Sequence, residues 1–249
     1  MSSVRTLAGR ANGFVARRTG FALTRVCRIT ELDRELKLLI AGCQIDHILD
    51  VGAHTGEFGT RVRRDTMFSG QLTSFEPSPS AFAGLNDQAG RDTRWTAWNC
   101  ALGSADGQAE FTEYGGDGQL NSLRSLGAHA NVYQPGISTV RKYPVEVRRL
   151  DGMWVDLEAA GPTILLKTDT QGFDLEVIRG VGQFIERVPV VLMEVAVKPL
   201  YEGAPVVHEV MAEMNALGFE LTGAFPIHRY AAGIRVIEFD CTFVNTRLA

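Results

Sequence analysis

The sequence predicts an α/β fold: one open, mostly parallel sheet with helices on both faces and an antiparallel hairpin at its C-terminal edge. Three observations carry this reading. Short apolar runs, each stopped by glycine, proline or an acidic residue, recur along the chain as buried parallel strands do. Segments with helical spacing fill the gaps between them. A length of 249 residues with 45% hydrophobic content suits one large domain better than two small ones.

Each element follows in order. Glu31 to Gly42 reads as a helix, with Leu32, Leu36, Leu39 and Ile40 on one face and Gly42 near its stop. His47 to Val51 is a buried strand ending at Gly52. Glu57 to Phe68 is helical, Gln71 to Glu76 is a second strand stopped by Pro77 and Pro79, and Ser80 to Ala89 is a helix. Trp95 to Leu102 is a third strand. Gly103 to Val140 breaks the rhythm: it is rich in Gly, Ser, Asn and Asp and reads as a long loop that closes over an acceptor and sets specificity. Tyr143 to Arg149 alternates as a half-exposed strand. Thr163 to Thr168 and Val188 to Val195 are buried strands flanking a helix at Asp174 to Val181. The tail holds a helix (Val206 to Leu217) and two strands (Phe219 to Ala224, Val236 to Val244), joined by a loop carrying His228 and Arg229.

Residues 1–30 stand apart from this domain of residues 31–249. Arg5, Arg10, Arg17, Arg18, Arg25 and Arg28 precede the first acidic residue and are interleaved with apolar positions. No unbroken apolar run is long enough for a secretory signal or a bilayer span. The segment reads as a basic helical extension that packs on the domain or a partner subunit, as in a homodimer, or rests peripherally on an anionic membrane. The net charge of −4 argues against nucleic acid as a partner. Cys27, Cys43, Cys100 and Cys241 form no CxxC pair and read as reduced cysteines of a cytoplasmic protein.

In an open α/β sheet, ligands sit beyond the carboxyl ends of the strands, where the strand order reverses. Asp50-Val51-Gly52-Ala53-His54-Thr55-Gly56 falls at the first such end. Gly52 and Gly56 let the backbone turn tightly, and the next helix offers its free N–H groups. Glu76, at the end of the second strand, can accept from both hydroxyls of a ribose. A dinucleotide site calls for G-x-G-x-x-G, and Gly52-Ala53-His54 lacks the second glycine; a P-loop calls for Gly-Lys-Ser/Thr, which is absent. S-adenosylmethionine (SAM) has no phosphate to cradle, so the looser turn suits it. His54 reads equally as a ligand contact or as a helix-capping surface residue.

With these motifs in place the sequence resembles the FkbM family of SAM-dependent O-methyltransferases, from about His47 to Val244. The resemblance rests on Leu49 to Gly56, Phe75-Glu76-Pro77-Ser78, Asn99-Cys100-Ala101-Leu102-Gly103, Asn121-Ser122-Leu123 and Leu166 to Asp174, in that order. It implies a class I methyltransferase (Rossmann-like) fold, a seven-stranded mostly parallel sheet with a C-terminal antiparallel hairpin, and transfer to a hydroxyl, often on a sugar. It implies further that Asp50, Gly52 and Gly56 surround the methionine part of SAM, that Glu76 holds the ribose, that Asn99 and Cys100 lie by the adenine and that Ser122 lies close to the cofactor. Ala53, His54, Pro77, Ser78 and Ala101, within the same motifs, complete the cofactor-binding set. One position departs: family members commonly carry Glu where this chain has Gln171.

Methylating an alcohol requires its proton to leave as the oxygen attacks the methyl group, so a base or a metal helps. Asp169, Lys167 and His228 are the catalytic candidates. Asp169, Glu194 and His228 are the metal candidates, with Mg²⁺ as the expected ion because it prefers carboxylate oxygens. Plainer roles compete with these: a structural partner of Asp169 for Lys167, an exposed loop residue for His228, a sheet-end salt bridge for Glu194. Tyr114 and Tyr133 could stack on a sugar ring, while Trp154 reads as packing. The expected activity is Mg²⁺-aided methylation of a hydroxyl on a saccharide or glycosylated metabolite. A nicotinamide-dependent oxidoreductase lacks its glycine fingerprint here, and a non-catalytic SAM-fold module would not need Asp169 and Glu194.

Overall fold

A computed structural model of the chain describes residues 29–115, 118, 120–133, 136–157, 163–230 and 233–248. The readings made for residues 1–28 lie outside the described residues. The elements below all belong to the unit that runs from Glu31 to Ala249.

The elements in chain order are α1 (Glu31–Gly42), β1 (His47–Val51), α2 (Glu57–Asp65), β2 (Gln71–Phe75), α3 (Pro79–Ala89), β3 (Trp95–Trp98), β4 (Ala101–Leu102) and β5 (Gly107–Tyr114). There follow α4 (Ala130–Tyr133), β6 (Thr139–Arg148), α5 (Leu150–Met153), β7 (Ile164–Thr168) and α6 (Asp174–Gly180). A 3₁₀ helix (Gly182–Arg187), β8 (Val190–Ala196), α7 (Val207–Ala216), β9 (Phe219–Arg229) and β10 (Val236–Asn245) complete the chain.

Seven strands form the main sheet in the order β3-β2-β1-β7-β8-β10-β9. The β1–β2, β1–β7, β2–β3 and β7–β8 pairs are parallel. Only β10 runs against its neighbours, pairing antiparallel with β8 and β9. This is the class I methyltransferase arrangement. The strand order reverses between β1 and β7, which opens a crevice above their carboxyl ends.

Side-chain alternation divides the core into two layers. Leu49, Leu166, Val191 and Met193 enter one. Ile48, Leu72, Leu165 and Leu192 enter the other, with Leu32 and Leu36 of α1 and Val62 of α2. Strands buried on both faces read as continuous apolar runs, which is why β1, β7 and β8 are legible in the sequence. No helix among the described residues is long and apolar enough to cross a membrane.

Three local expectations are corrected. The strand read from Trp95 to Leu102 breaks after Trp98: β3 pairs with β2, whereas Ala101–Leu102 joins a second sheet of order β4-β6-β5. At the break, Asn99 Nδ2 donates to the carbonyls of Glu76 (2.8 Å) and Pro77 (3.3 Å), which draws the chain out of the ladder. The segment from Gly103 to Val140 is not all loop, because β5 pairs antiparallel with β6 in it. Burial along β5 does not alternate: Phe111, Thr112 and Tyr114 are buried and a bulge falls between Glu113 and Tyr114, so no period-2 pattern marks the strand. Finally, β9 runs on to Arg229, so His228 sits on a strand and pairs in register with Glu238.

Candidate active site

The turn after β1 is built for close approach. Gly52 has φ +74°, and a Cβ there would lie 1.9 Å from the carbonyl oxygen of Asp169. Glycine therefore lets the loop after β1 close against the loop after β7. The N–H groups of Gly52 and Ala53 both donate to the carbonyl of Phe75, each at 3.0 Å. Gly56 (φ +93°) faces the core: a Cβ there would meet the Trp95 ring at 3.2 Å and Leu85 at 3.3 Å.

Glu76 emerges just beyond β2 and is only 6% exposed. The backbone N–H of His54 donates to its Oε2 and that of Ser78 to its Oε1, both at 2.8 Å. Burial pushes its pKa up, and the two N–H groups hold it back. Each carboxylate oxygen keeps a lone pair for a further donor. Ser78 also caps α3, its Oγ accepting from the N–H of Ala81.

Above these residues lies a cavity of about 630 Å³, within the range of natural ligand pockets. Glu76, Pro77, Cys100 and Ala101 line it, joined by Leu102, Phe111 and Phe173. Gly52, Ala53, His54 and Lys167 also line it, as do Asp169, Glu194, His228 and Asp240. Asp50, Gly56, Ser78, Asn99 and Ser122, all read as cofactor-binding, are not among its lining residues. Their contacts are with the protein: Asp50 with Ser74 and Lys167, Ser78 with Glu76, Asn99 with the Glu76 and Pro77 carbonyls, Ser122 with the Gln171 carbonyl, and Gly56 faces Trp95 and Leu85. Phe111, Phe173, Gln171 and Asp240 were missed as lining residues. Asp240 was findable in principle: it lies on an apolar strand two positions from Glu238, directly across from Glu194.

A continuous polar chain runs along one sheet face beneath the cavity. Trp95 Nε1 donates to Ser74 Oγ (3.0 Å), and Ser74 Oγ donates to Asp50 Oδ2 (3.2 Å). Lys167 Nζ lies 3.0 Å from Asp50 Oδ1 and 3.6 Å from Asp169 Oδ2, and donates to the Gly52 carbonyl at 3.1 Å. Burial opposes the Lys167 charge, but Asp50 and Asp169 together hold the ammonium above its ordinary pKa. A fully buried Asp50 requires such a partner. Lys167 thus faces inward, toward Asp50 as well as Asp169, while the Asp169 side chain stays 44% exposed.

Gln171 continues the chain. Its Nε2 donates to Asp169 Oδ1 (2.9 Å) and to Glu194 Oε2 (2.7 Å), and its Oε1 accepts from the Tyr201 hydroxyl (2.8 Å). Gln171 has φ +55°, and Ser122 Oγ donates to its carbonyl at 2.8 Å. Burial and the charge of Asp169 raise Glu194 well above the usual carboxylate range.

His228 Nδ1 lies 3.0 Å from Glu238 Oε2, and Tyr133 packs its ring edge-on at 5.0 Å. The Glu238 hydrogen bond raises the His228 pKa against the pull of burial. The metal candidates Asp169, Glu194 and His228 do not converge as one triad. Among the described residues, the group whose ligand atoms lie within 4.8 Å of one another is Glu194, His228 and Glu238. Of the aromatic candidates, Tyr114 is engaged elsewhere: its hydroxyl donates to the Arg124 carbonyl and accepts from Leu126 N–H. Trp154, read as packing, is buried and stacks on Phe184 at 4.4 Å.

Residues 50–221 match the methyltransferase FkbM domain family. The chain is 28% identical over 207 residues to the 2-O-methyltransferase NoeI of Sinorhizobium fredii, covering 81% of this chain and 80% of that one. It resembles the crystal structure of the methyltransferase FkbM from Methylobacillus flagellatus KT (TM-score 0.49, 15% identity), covering 80% of this chain but only 43% of that one. It also resembles the magnesium protoporphyrin IX methyltransferase of Synechocystis PCC 6803 with bound SAM (TM-score 0.45, 9% identity, 97% and 96% coverage). The match over residues 50–221 takes in the carboxyl end of β1, its glycine turn, Glu76 and the Asp169 loop, and the chain belongs to the FkbM family of methyltransferases.

Proposed function

We propose that the chain uses SAM to methylate a hydroxyl group of a saccharide or glycosylated metabolite. The supporting observation is a single cavity that joins Glu76 to an exposed carboxylate, Asp169. The Glu76 end suits a nucleoside: its carboxylate retains accepting capacity, and Pro77, Cys100, Ala101 and Phe111 offer an apolar slot beside it. When bound, SAM supplies a methyl group on a positively charged sulfur. Asp169 would take the proton of the acceptor hydroxyl as its oxygen receives that methyl group and the sulfur leaves as a neutral thioether. A saccharide acceptor is supported by the polar far end, where Asp169, Glu194, Asp240 and His228 can accept from or donate to several hydroxyls.

Magnesium fits this end poorly. The Gln171 amide nitrogen stands between Asp169 and Glu194, where a cation shared by the two would lie. The Glu194–His228–Glu238 group includes an imidazole, which suits a transition ion better than Mg²⁺, and His228 and Glu238 already bond to each other. Methyl transfer from labelled SAM to a panel of saccharides tests the proposal. Transfer to a hydroxyl is expected, and labelling of amines or carbon centres alone would overturn it.

A further inference from the structure

Resting on that reading, we propose that Gln171 is a positioning residue whose amide takes the place of a divalent cation, with Tyr201 fixing the amide's orientation. Two carboxylates facing one small volume repel each other unless a donor or cation lies between them. Here one amide nitrogen contacts both, 2.9 Å from Asp169 and 2.7 Å from Glu194. A flipped amide would aim its oxygen at the carboxyl oxygens of Asp169 and Glu194 and remove the donor that lies between them. In the observed orientation the oxygen faces the Tyr201 hydroxyl at 2.8 Å, and Tyr201 is buried (2% exposed) among Tyr114, Leu200, Ala204 and Ile237.

The backbone supports the same conclusion. Gln171 adopts a left-handed conformation that a residue with a Cβ enters at a cost. The segment preceding α4 clamps it there: Ser122 Oγ donates to the Gln171 carbonyl and Arg124 Nε to the Gly172 carbonyl, each at 2.8 Å. The Tyr201 hydroxyl also lies 3.0 Å from the Leu120 carbonyl. The docking of residues 120–127 and the aim of the Gln171 amide are thus one arrangement. Its consequence is that Asp169 Oδ1 is tied down, so Oδ2, which also faces Lys167 Nζ at 3.6 Å, is the oxygen that would meet the acceptor.

The test pairs metal binding with kinetics. Mn²⁺ is titrated into the full chain and followed by electron paramagnetic resonance, for wild type, Gln171→Glu, and Gln171→Glu combined with Asp169→Asn. Wild type is expected to show no Mn²⁺ site that depends on Asp169. Gln171→Glu, which swaps the N–H donor for a third carboxylate, is expected to gain one, and Asp169→Asn to remove it. In EDTA, Gln171→Leu and Gln171→Glu should lose about 100-fold in kcat, with acceptor KM and SAM Kd within about 2-fold of wild type. Divalent cations should restore Gln171→Glu but not Gln171→Leu.

Tyr201→Phe frees the amide to flip and should cost about 10-fold in kcat with SAM Kd unchanged, which keeps the idea testable if the Gln171 variants misfold. An Asp169-dependent Mn²⁺ site in wild type overturns the proposal, as does full kcat in Gln171→Leu or in Tyr201→Phe. If wild type neither binds SAM nor transfers methyl groups, the functional reading fails instead, and the Mn²⁺ titration still decides the role of Gln171.

Discussion

Buried carboxylates keep their charge only while donors face them, and Glu76 has two backbone donors that come from different loops, His54 and Ser78. Removing the carboxylate would take away the proposed ribose acceptor and leave both N–H groups facing an apolar side chain. Glu76→Ala is expected to weaken SAM binding by about 10- to 100-fold, measured by isothermal titration, from the loss of charge-assisted hydrogen bonds. An unchanged Kd would place the nucleoside elsewhere. At Gly52 the constraint is steric. A Cβ placed 1.9 Å from a backbone oxygen cannot be relieved by a rotamer change, so Gly52→Ala should destabilise the fold by roughly 3 kcal/mol or more in urea titration. Gly56→Ala presses only on the side chains of Trp95 and Leu85 and should cost less, about 1–2 kcal/mol.

At the scale of elements, the polar chain along β2, β1 and β7 shows what one sheet face does where the apolar layer ends. Ile48, Leu72 and Leu165 fill that face toward the amino ends of their strands, and Asp50, Ser74 and Lys167 follow two residues on. Lys167→Met leaves Asp50 buried without its cation and is expected to cost about 3–5 kcal/mol in chemical denaturation. Asp50→Asn combined with Lys167→Met should cost less than the two single changes summed, and strict additivity would mean that the pair does not act as a unit. The apolar runs of β1, β7 and β8 were legible because strands buried on both faces read as short continuous apolar runs bounded by turn residues. The polar strand β5 was not, since its exposed face carries the same residue types as a loop. The end of β9 was hidden in the same way. His228 and Glu238 meet only through a cross-strand register that no local pattern encodes. The site was legible in part for the same reason. Glu76 and Asp169 close apolar strands, whereas Gln171 acquires its role from Tyr201, thirty positions along the chain.

Across the whole molecule, the concentration of carboxyl groups on one side of the cavity sets how stability responds to pH. Burial pushes Asp174 and Asp240 up to about 6, with the charge of Asp169 adding to both. The folded state therefore holds more protons than the unfolded chain between about pH 4 and 6, and the stability these groups contribute is lost as pH rises through 6. His228, also raised, acts in the same direction: its contribution is complete below its ordinary pKa of 6.5 and is lost above its folded value. Asp92 and Asp151, lowered by hydrogen bonds to Arg94 and Arg149, contribute above their ordinary pKa and lose that stability in acid. Thermal melts of the ligand-free protein should thus fall as pH rises from about 4 through 6, with the His228 contribution lost above 6.5. A Tm that stays flat or climbs from about pH 4.5 to 6 would show that the acidic cluster is solvated.

Cofactor and acceptor ends in one cavity can be separated by a single substitution. Asp169→Asn keeps the shape of the side chain and leaves Glu76 untouched. The decisive measurement is methyl transfer from labelled SAM to a saccharide acceptor by this variant, with SAM affinity determined on the same sample. Binding within about 2-fold of wild type with transfer reduced by 100-fold or more is expected if Asp169 accepts the proton. Transfer at the wild-type rate, or loss of SAM binding together with activity, would contradict it.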